Sequence, residues 1–269
     1  MVSDRHRSRR SRPPPAIMIT MFPRPSDDPV AVVEAVGAER RTPPANRCWV
    51  MTNMVASADG ATAIDGLSGP LGGAADREMF AALRSVADAI VVGAATVRQE
   101  RYRVPGAGSE EAQRARAGRG QEPRPLVVVV TTSLGLDAGL PLFDDPSYRP
   151  LIATVATAPA EARDRLSTVA DIVELGEERV DVGLLASELR RRGVAVALAE
   201  GGPTLNGQLI AADLVDEWNL TLSPILAGGA SHRPAIGAPI PHPTAQMRLD
   251  RVWQDDDLLF CRWTRPGAS

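Results

Sequence analysis

The chain has 269 residues, a formal net charge of −3 and a pI near 5.7. That length allows a substantial core, as one large domain or two small ones, and the near-balanced charge gives no general pull toward nucleic acid or membrane. All 30 basic residues are arginine, which excludes both a Schiff-base lysine and a phosphate-loop lysine.

Residues 1–15 carry five arginines and end in Pro13-Pro14-Pro15, which reads as a disordered tail. Residues 16–46 read as an N-terminal extension. It holds a short apolar piece, Ile17 to Phe22, and a helix expected from Pro29 to Val36 with Asp27 or Asp28 as its cap. Thr42-Pro43-Pro44 is a linker into the main domain, 47–269. Cys48 to Ala56 reads as a buried strand ending at the turn Ser57-Ala58-Asp59-Gly60. A loop rich in small residues follows, then a helix from Asp76 to Val86 with Met79, Phe80, Leu83 and Val86 on one face. Ala89 to Val92 is a strand that stops at Gly93, and Ala94 to Arg98 begins a turn or short helix. Residues 101–125, dominated by Pro, Gly and Arg, form a surface excursion that could act as a lid, with one polar helix at Glu110 to Ala117.

Further strands are expected at Leu126–Val130, Pro150–Val155 and Asp171–Leu175, with helices at Ala160–Leu166 and Val182–Arg192. Val194 to Leu198 is another short strand. It runs into Glu200-Gly201-Gly202, and a helix starts at Pro203, where the missing N–H of proline costs nothing. Leu214 to Leu226 alternates through Trp218, Leu220 and Leu222, as an antiparallel strand would. Residues 227–246 are loop, and Met247–Trp253 with Leu258–Trp263 form a terminal hairpin. Alternating strands and helices followed by antiparallel strands predict an α/β sandwich whose sheet is mostly parallel with an antiparallel edge.

The two cysteines, Cys48 and Cys261, sit in apolar runs and read as buried core residues. His6, His232 and His242 offer no zinc-ligand spacing and no Ser-His-Asp arrangement, so no metal site is expected. No apolar run approaches a membrane span, and a reducing, cytoplasmic setting fits best.

In a parallel sheet the carboxyl ends of the strands lie along one edge. Asp59, Gly93 with Thr96, Thr131-Thr132-Ser133 and Glu200 all fall at such ends. Taken singly, Gly93 is as good a plain turn, Thr96 as good a helix cap and 131–133 as good ordinary strand-end polarity. Their joint occurrence favours a nucleotide site, with the helix start after Gly201-Gly202 suited to a phosphate or pyrophosphate. The dinucleotide fingerprint G-x-G-x-x-G is absent after the first strand.

Several blocks, in order, resemble one family. They are Asn53 to Gly60, Leu83-Arg84 with Ala87 to Gly93 and Thr96-Val97-Arg98, Glu200 to Leu205, and Leu214 to Glu217 with Ser223-Pro224 and Gly228. The resemblance is to the reductase domain of riboflavin biosynthesis, the C-terminal half of the bifunctional deaminase–reductase, from about residue 47 to the end. It implies a three-layer αβα sandwich of the dihydrofolate-reductase-like type and a homodimer. It implies NADPH as cofactor and a small-molecule substrate of the 5-amino-6-ribosylaminouracil 5′-phosphate class, whose opened ribose takes the hydride. By position, Gly93, Thr96 and Val97 line the cofactor, Gly201, Gly202, Thr204 and Leu205 hold its pyrophosphate, and Thr131, Thr132 and Ser133 meet its adenosine 2′-phosphate. Asp59, Glu100 and Glu200 fall on the substrate side, Asp59 or Glu200 being the expected proton relay. Arg84 matches an arginine near the substrate phosphate; Asn53 stands where the family often has lysine, and Arg101 or Arg103 supplies the remaining phosphate contact. No counterpart of the deaminase half is present, so the resemblance is to a stand-alone reductase. The alternatives are a reductase of dihydrofolate or another pterin, and a non-catalytic NADP-binding regulator.

Overall fold

The computed structural model describes residues 17–241 and 243–267; the 1–15 segment, His6 and His242 lie outside them. Ten strands form one sheet: β1 (Ile19–Phe22), β2 (Trp49–Ser57), β3 (Ala89–Gly93), β4 (Leu126–Val130), β5 (Leu151–Thr154), β6 (Asp171–Glu174), β7 (Val196–Ala199), β8 (Glu217–Ser223), β9 (Arg248–Asp255) and β10 (Leu258–Thr264). Their order is β1-β9-β10-β8-β2-β7-β3-β4-β5-β6. The seven strands from β8 to β6 run parallel, and β10, β9 and β1 continue antiparallel. This is the mixed sheet expected from the alternation of strands and helices. Among the described residues seven α-helices accompany it: α1 (Val32–Ala38), α2 (Ala74–Val86), α3 (Ala94–Gln99), α4 (Glu110–Gly118), α5 (Ala160–Ser167), α6 (Val182–Arg191) and α7 (Pro203–Ala211).

Alternation along the central strands divides the core into two layers. On one face Cys48, Val50 and Ala197 pack with Leu185 and Leu189 of α6 and Leu205 and Leu209 of α7. On the other, Trp49, Met51 and Leu198 pack with Val32 and Val36 of α1 and Met79 and Leu83 of α2. The three layers follow directly.

Three expectations need correction and one is extended. The first helix starts at Val32 behind Ala31 with no side-chain cap, because Asp28 is drawn into a local turn with Ser26. Ile17–Phe22 is more than an apolar piece: β1 pairs with β9, and Met18 beside it is fully buried. Phe80 is not core; Ala75, Met79, Ala82, Leu83 and Val86 are the buried residues of α2. The strand that runs through Trp218 pairs antiparallel with β10 but parallel with β2.

That strand also reverses the usual preference. Glu217, Asn219, Thr221 and Ser223 are its buried row, whereas Trp218, Leu220 and Leu222 are half-buried. Glu217 is satisfied from a distance. Arg41 donates to both oxygens of Glu217, at 2.9 Å each, and Arg262 and Asn219 add bonds of 3.1 and 3.0 Å. Glu39 accepts from Arg41 and Arg251, at 2.6 Å each. The segment 17–46 is thereby tied to the sheet by strand pairing, by core packing and by a buried ion network.

Candidate active site

The carboxyl ends of β2, β3 and β7 open into a cleft of about 1120 Å³, roofed by the loops around 62–68, 100–106 and 225–232. Sheet edges of this kind are where open α/β folds place ligands. Of the residues singled out in the sequence, Asn53, Arg84, Thr96, Glu100, Arg101, Arg103, Glu200, Gly201 and Gly202 line it.

Glu200 follows β7, and its backbone N–H donates to Val91 O at 3.0 Å, continuing the β3–β7 ladder. Its side chain is 3% exposed and fully engaged. Arg84 forks onto it, Nε to Oε1 and Nη2 to Oε2, both at 2.7 Å. The Tyr102 hydroxyl donates to Oε2 at 2.5 Å and accepts from Arg84 Nη2 at 2.5 Å. Burial, and then the charge of Glu200, push the Tyr102 phenol well above its ordinary value. Burial alone would lower the Arg84 pKa, but Glu200 more than reverses this. Arg84 is therefore committed to the floor of the cleft. The exposed guanidinium groups left over its mouth are Arg101 and Arg103.

After Glu200 the chain turns through Gly201, at φ +91°, and Gly202, and α7 begins without a side-chain cap. Gly201 O accepts from Gly93 N at 2.9 Å, which joins the two glycine turns. The packing tolerates little here. A Cβ at Gly201 would stand 3.2 Å from Met54 Sδ, and one at Gly202 3.3 Å from Thr96 Oγ1. Glycine keeps backbone N–H groups open at the cleft wall. Thr204 is exposed on the first turn of α7, whereas Leu205 is buried and Val97 fully so. Those two can contribute only packing and backbone.

Asp59 does not line the cleft. Its carboxylate accepts from the Ser57 hydroxyl at 2.5 Å and from the amides of Ala227 and Gly228 at 3.1 and 2.7 Å. These bonds, the hydroxyl first, hold it down at about 2. A group so acidic carries no proton to give near neutrality; it pins the 225–232 loop to the end of β2. Glu100 has a similar task, accepting from the Ser68 N–H and hydroxyl at 3.2 and 3.0 Å.

The Thr131–Ser133 turn lies beyond the cleft. Thr131 Oγ1 accepts from Leu134 N at 3.2 Å, while Thr132 and Ser133 are exposed. Arg98 reaches the same turn and donates to Gly135 O at 2.8 Å.

Sequence reasoning missed Tyr102, hidden in an arginine-rich excursion, and Asp76 and Phe80. Those two precede Arg84 at helical spacing (76, 80, 84), and all three face the cleft. That spacing was the available signal. The excursion itself is clasped to the body: the guanidinium of buried Arg116 donates to the carbonyls of Ser85 and Ala87 at the end of α2, at 3.1 and 2.9 Å.

Comparison with known proteins agrees with this architecture. A 2,5-diamino-6-ribosylamino-4(3H)-pyrimidinone 5′-phosphate reductase from Archaeoglobus fulgidus is 34% identical over 184 residues, covering 68% of this chain and 83% of that protein. One of the same name from Methanothermobacter thermautotrophicus is 29% identical over 224 residues, covering 82% of this chain and 100% of that protein. The crystal structure of a pyrimidine reductase-like protein from Corynebacterium diphtheriae superposes with a TM-score of 0.76 at 24% identity, covering 87% of this chain and 98% of that one. The family model described as the RibD C-terminal domain matches residues 48–260, a stretch that takes in the whole cleft from Asn53 to His232. With the cleft, the glycine turn and the strands from β2 to β9 all inside that match, the chain belongs to the RibD C-terminal domain family.

Proposed function

We propose that this chain is an NADPH-dependent reductase of a ribosylaminopyrimidine 5′-phosphate, the class that contains 5-amino-6-ribosylaminouracil 5′-phosphate and its 2-amino counterpart. The observation that carries the reading is the uncapped start of α7 behind Gly201-Gly202, opening into a cleft with free arginines at its mouth. The names of the relatives support the substrate class.

The residues present fit a nicotinamide dinucleotide. Side chains at 201 or 202 would crowd Met54 and Thr96, so these glycines leave backbone free to meet it. Gly201, Gly202 and the first turn of α7 at Thr204 and Leu205 would hold the pyrophosphate; Gly93 and Thr96 would lie along the nicotinamide half. Thr132, Ser133 and Arg98 would face an adenosine 2′-phosphate, which favours NADPH. The cofactor, when bound, supplies the hydride. The protein supplies position: the Glu200–Arg84–Tyr102 lock fixes the floor, and the loops at 100–106 and 225–232 cover the cleft and exclude water. Arg101 and Arg103 would take the substrate phosphate.

Oxidation of NADPH by the purified chain, followed with the ribosylaminopyrimidine phosphates and with dihydrofolate, tests the reading. Turnover with the former and none with dihydrofolate is expected. NADPH binding without turnover on any of them would favour the regulator instead. Replacing Arg103 by alanine should raise KM for the phosphorylated substrate about 10-fold, the scale of one charge-assisted bond. It should leave kcat, and all kinetics on a dephosphorylated substrate, little changed.

The half-buried row Trp218, Leu220 and Leu222 continues across β10 into Leu259 and Trp263, which share its face. A contiguous apolar sheet face of this kind suits a second copy of the chain. Leu220→Glu should then sediment as a monomer at concentrations where the unsubstituted chain is a dimer. A monomeric unsubstituted chain would remove the homodimer. Cys48 and Cys261, both free and buried, fit a reducing cytoplasmic compartment.

A further inference from the structure

The fork of Arg84 onto Glu200 depends on where α2 ends. Arg84 stands in the last turn of that helix, which stops at Val86 with Ala87 extended. A helix end leaves its last carbonyls without intrahelical donors, and such ends fray unless something caps them. Here the carbonyls of residues 84 to 87 each take a donor from the excursion that follows Tyr102. One nitrogen of Arg116, Nη1, donates to Arg84 O, Ser85 O and Ala87 O at 3.3, 3.1 and 2.9 Å. Arg119 donates to Ser85 O at 2.8 Å, and the Gln121 amide to Val86 O at 3.0 Å.

Arg116 is 3% exposed, and all its bonds go to backbone carbonyls; the remaining one runs from Nε to Glu122 O at 2.7 Å. Burial lowers its pKa, and Asp88 beyond the helix end offsets only part of this. The negative end of the α2 dipole supplies the rest of the compensation. Helix α4 has little else to hold it down, since Arg116 is its one buried residue. A helix polar all round does not dock by an apolar face; this one docks by a guanidinium.

The two ends of segment 102–116 therefore meet at one residue. The Tyr102 hydroxyl takes the Arg84 side chain, and Arg116 takes the Arg84 carbonyl. The other partner of the fork is held from the same place. Gln121 also donates to Asp88 Oδ1 at 2.8 Å, and Asp88 Oδ2 accepts from the amides of Ala195 and Val196 at 2.9 and 2.8 Å. Those amides open β7, the strand that delivers Glu200.

We propose that the excursion is a fixed brace rather than a lid, and that Arg116 is the positioning residue at its centre: by holding the last turn of α2 it sets Arg84 against Glu200, and so fixes the floor on which the reactants lie. The catalytic part of this rests on the reductase reading above.

The test is a double-mutant cycle in kcat. The full chain, Arg116→Met, Arg84→Met and the pair are compared at saturating NADPH and ribosylaminopyrimidine phosphate, with urea unfolding to establish that each is folded. Arg116→Met should lower kcat about 10-fold, the scale of a sub-ångström misplacement, with KM for both reactants little changed. In the Arg84→Met background the same change should cost less than about 2-fold, because the group it positions is already gone. Arg116→Lys keeps the charge at the helix end, but its single nitrogen cannot span Glu122 O and the helix carbonyls together. It should lose about 3-fold in kcat, again only while Arg84 is present, and it carries the cycle if the Met pair does not fold. A staple that serves stability alone would lower the unfolding midpoint and leave kcat of the folded chain unmoved; that result, or equal losses in both backgrounds, would overturn the assignment. Hydrogen exchange of the unsubstituted chain separates brace from lid. The amides of 110–118 should exchange at the same rate with and without NADPH at a concentration that saturates turnover, and slowing of several-fold would make the excursion a lid. No NADPH oxidation with either pyrimidine phosphate would instead remove the reductase reading, and the catalytic role of Arg116 with it.

Discussion

Glu217→Ala is expected to lower the free energy of unfolding by about 3–5 kcal/mol, the range seen when one partner of a buried ion pair is removed. The side chain of Glu217 is wholly inaccessible, and those of Arg41 and Arg262, which bond it, are 4% and 6% exposed. Formally, Arg41, Arg251 and Arg262 are balanced by Glu39, Glu217 and Asp250. Alanine at 217 leaves two arginines with too little negative charge between them and no water to replace it. It also loosens a tie between the N-terminal segment and β8, since Arg41 belongs to the former. Burial on its own pushes the Glu217 carboxyl upward, but Arg41 and Arg262 outweigh it and hold the group far below its ordinary range. A carboxyl lowered on folding contributes stability that is full above its unfolded value, about 4.3, and is lost as pH falls through the folded one. Urea unfolding at neutral pH should show the full deficit, and the deficit should narrow under strong acid. A loss below about 1 kcal/mol at pH 7 would mean that the network is solvated and carries little.

The parts of this molecule legible in sequence are those decided by local pattern. Ala89–Val92 and Leu126–Val130 are apolar on both faces, as strands covered by helices on each side must be, and their boundaries stand almost unchanged. Glu200-Gly201-Gly202-Pro203 is self-contained, because the turn and the helix start are dictated by the residues that form them. What escaped was decided by residues far apart in the chain. Nothing near Glu217 announces that it is buried, since its partner Arg41 lies 176 residues away. Read locally, Asp76 is an ordinary acid at a helix start, favoured there by the dipole; only the packing of α2 against the sheet turns it toward a cleft and away from water. Asp59 is the opposite case. It stands at a strand end, as expected, but amides from a loop some 170 residues on fill its acceptor sites, and no local rule foretells that.

The second large effect is expected at Arg84. Arg84→Met should cut kcat/KM by about 100-fold and destabilise the fold by about 3–5 kcal/mol. The arginine supplies two of the three side-chain bonds that Glu200 accepts. Without it a nearly inaccessible carboxylate keeps only the Tyr102 hydroxyl. It must then either take up a proton or swing toward water, which means into the cleft. The second course drags on the backbone at Gly201, whose carbonyl holds Gly93, and a shift of about 1 Å in a positioning element costs roughly 100-fold in rate. Methionine keeps much of the apolar length over Phe80, so the loss reads the fork rather than the packing. Arg84→Lys should rescue little, because an ammonium cannot bond both carboxylate oxygens in a fixed plane while also reaching the tyrosine. Tyr102→Phe, which leaves the fork intact and removes one bond to a charged group, should cost about 1.5–3 kcal/mol of stability and less activity than Arg84→Met. If Arg84→Met instead raised only KM for the phosphorylated substrate, with kcat and the unfolding midpoint unmoved, the arginine would be a phosphate ligand after all, released from Glu200 when substrate binds.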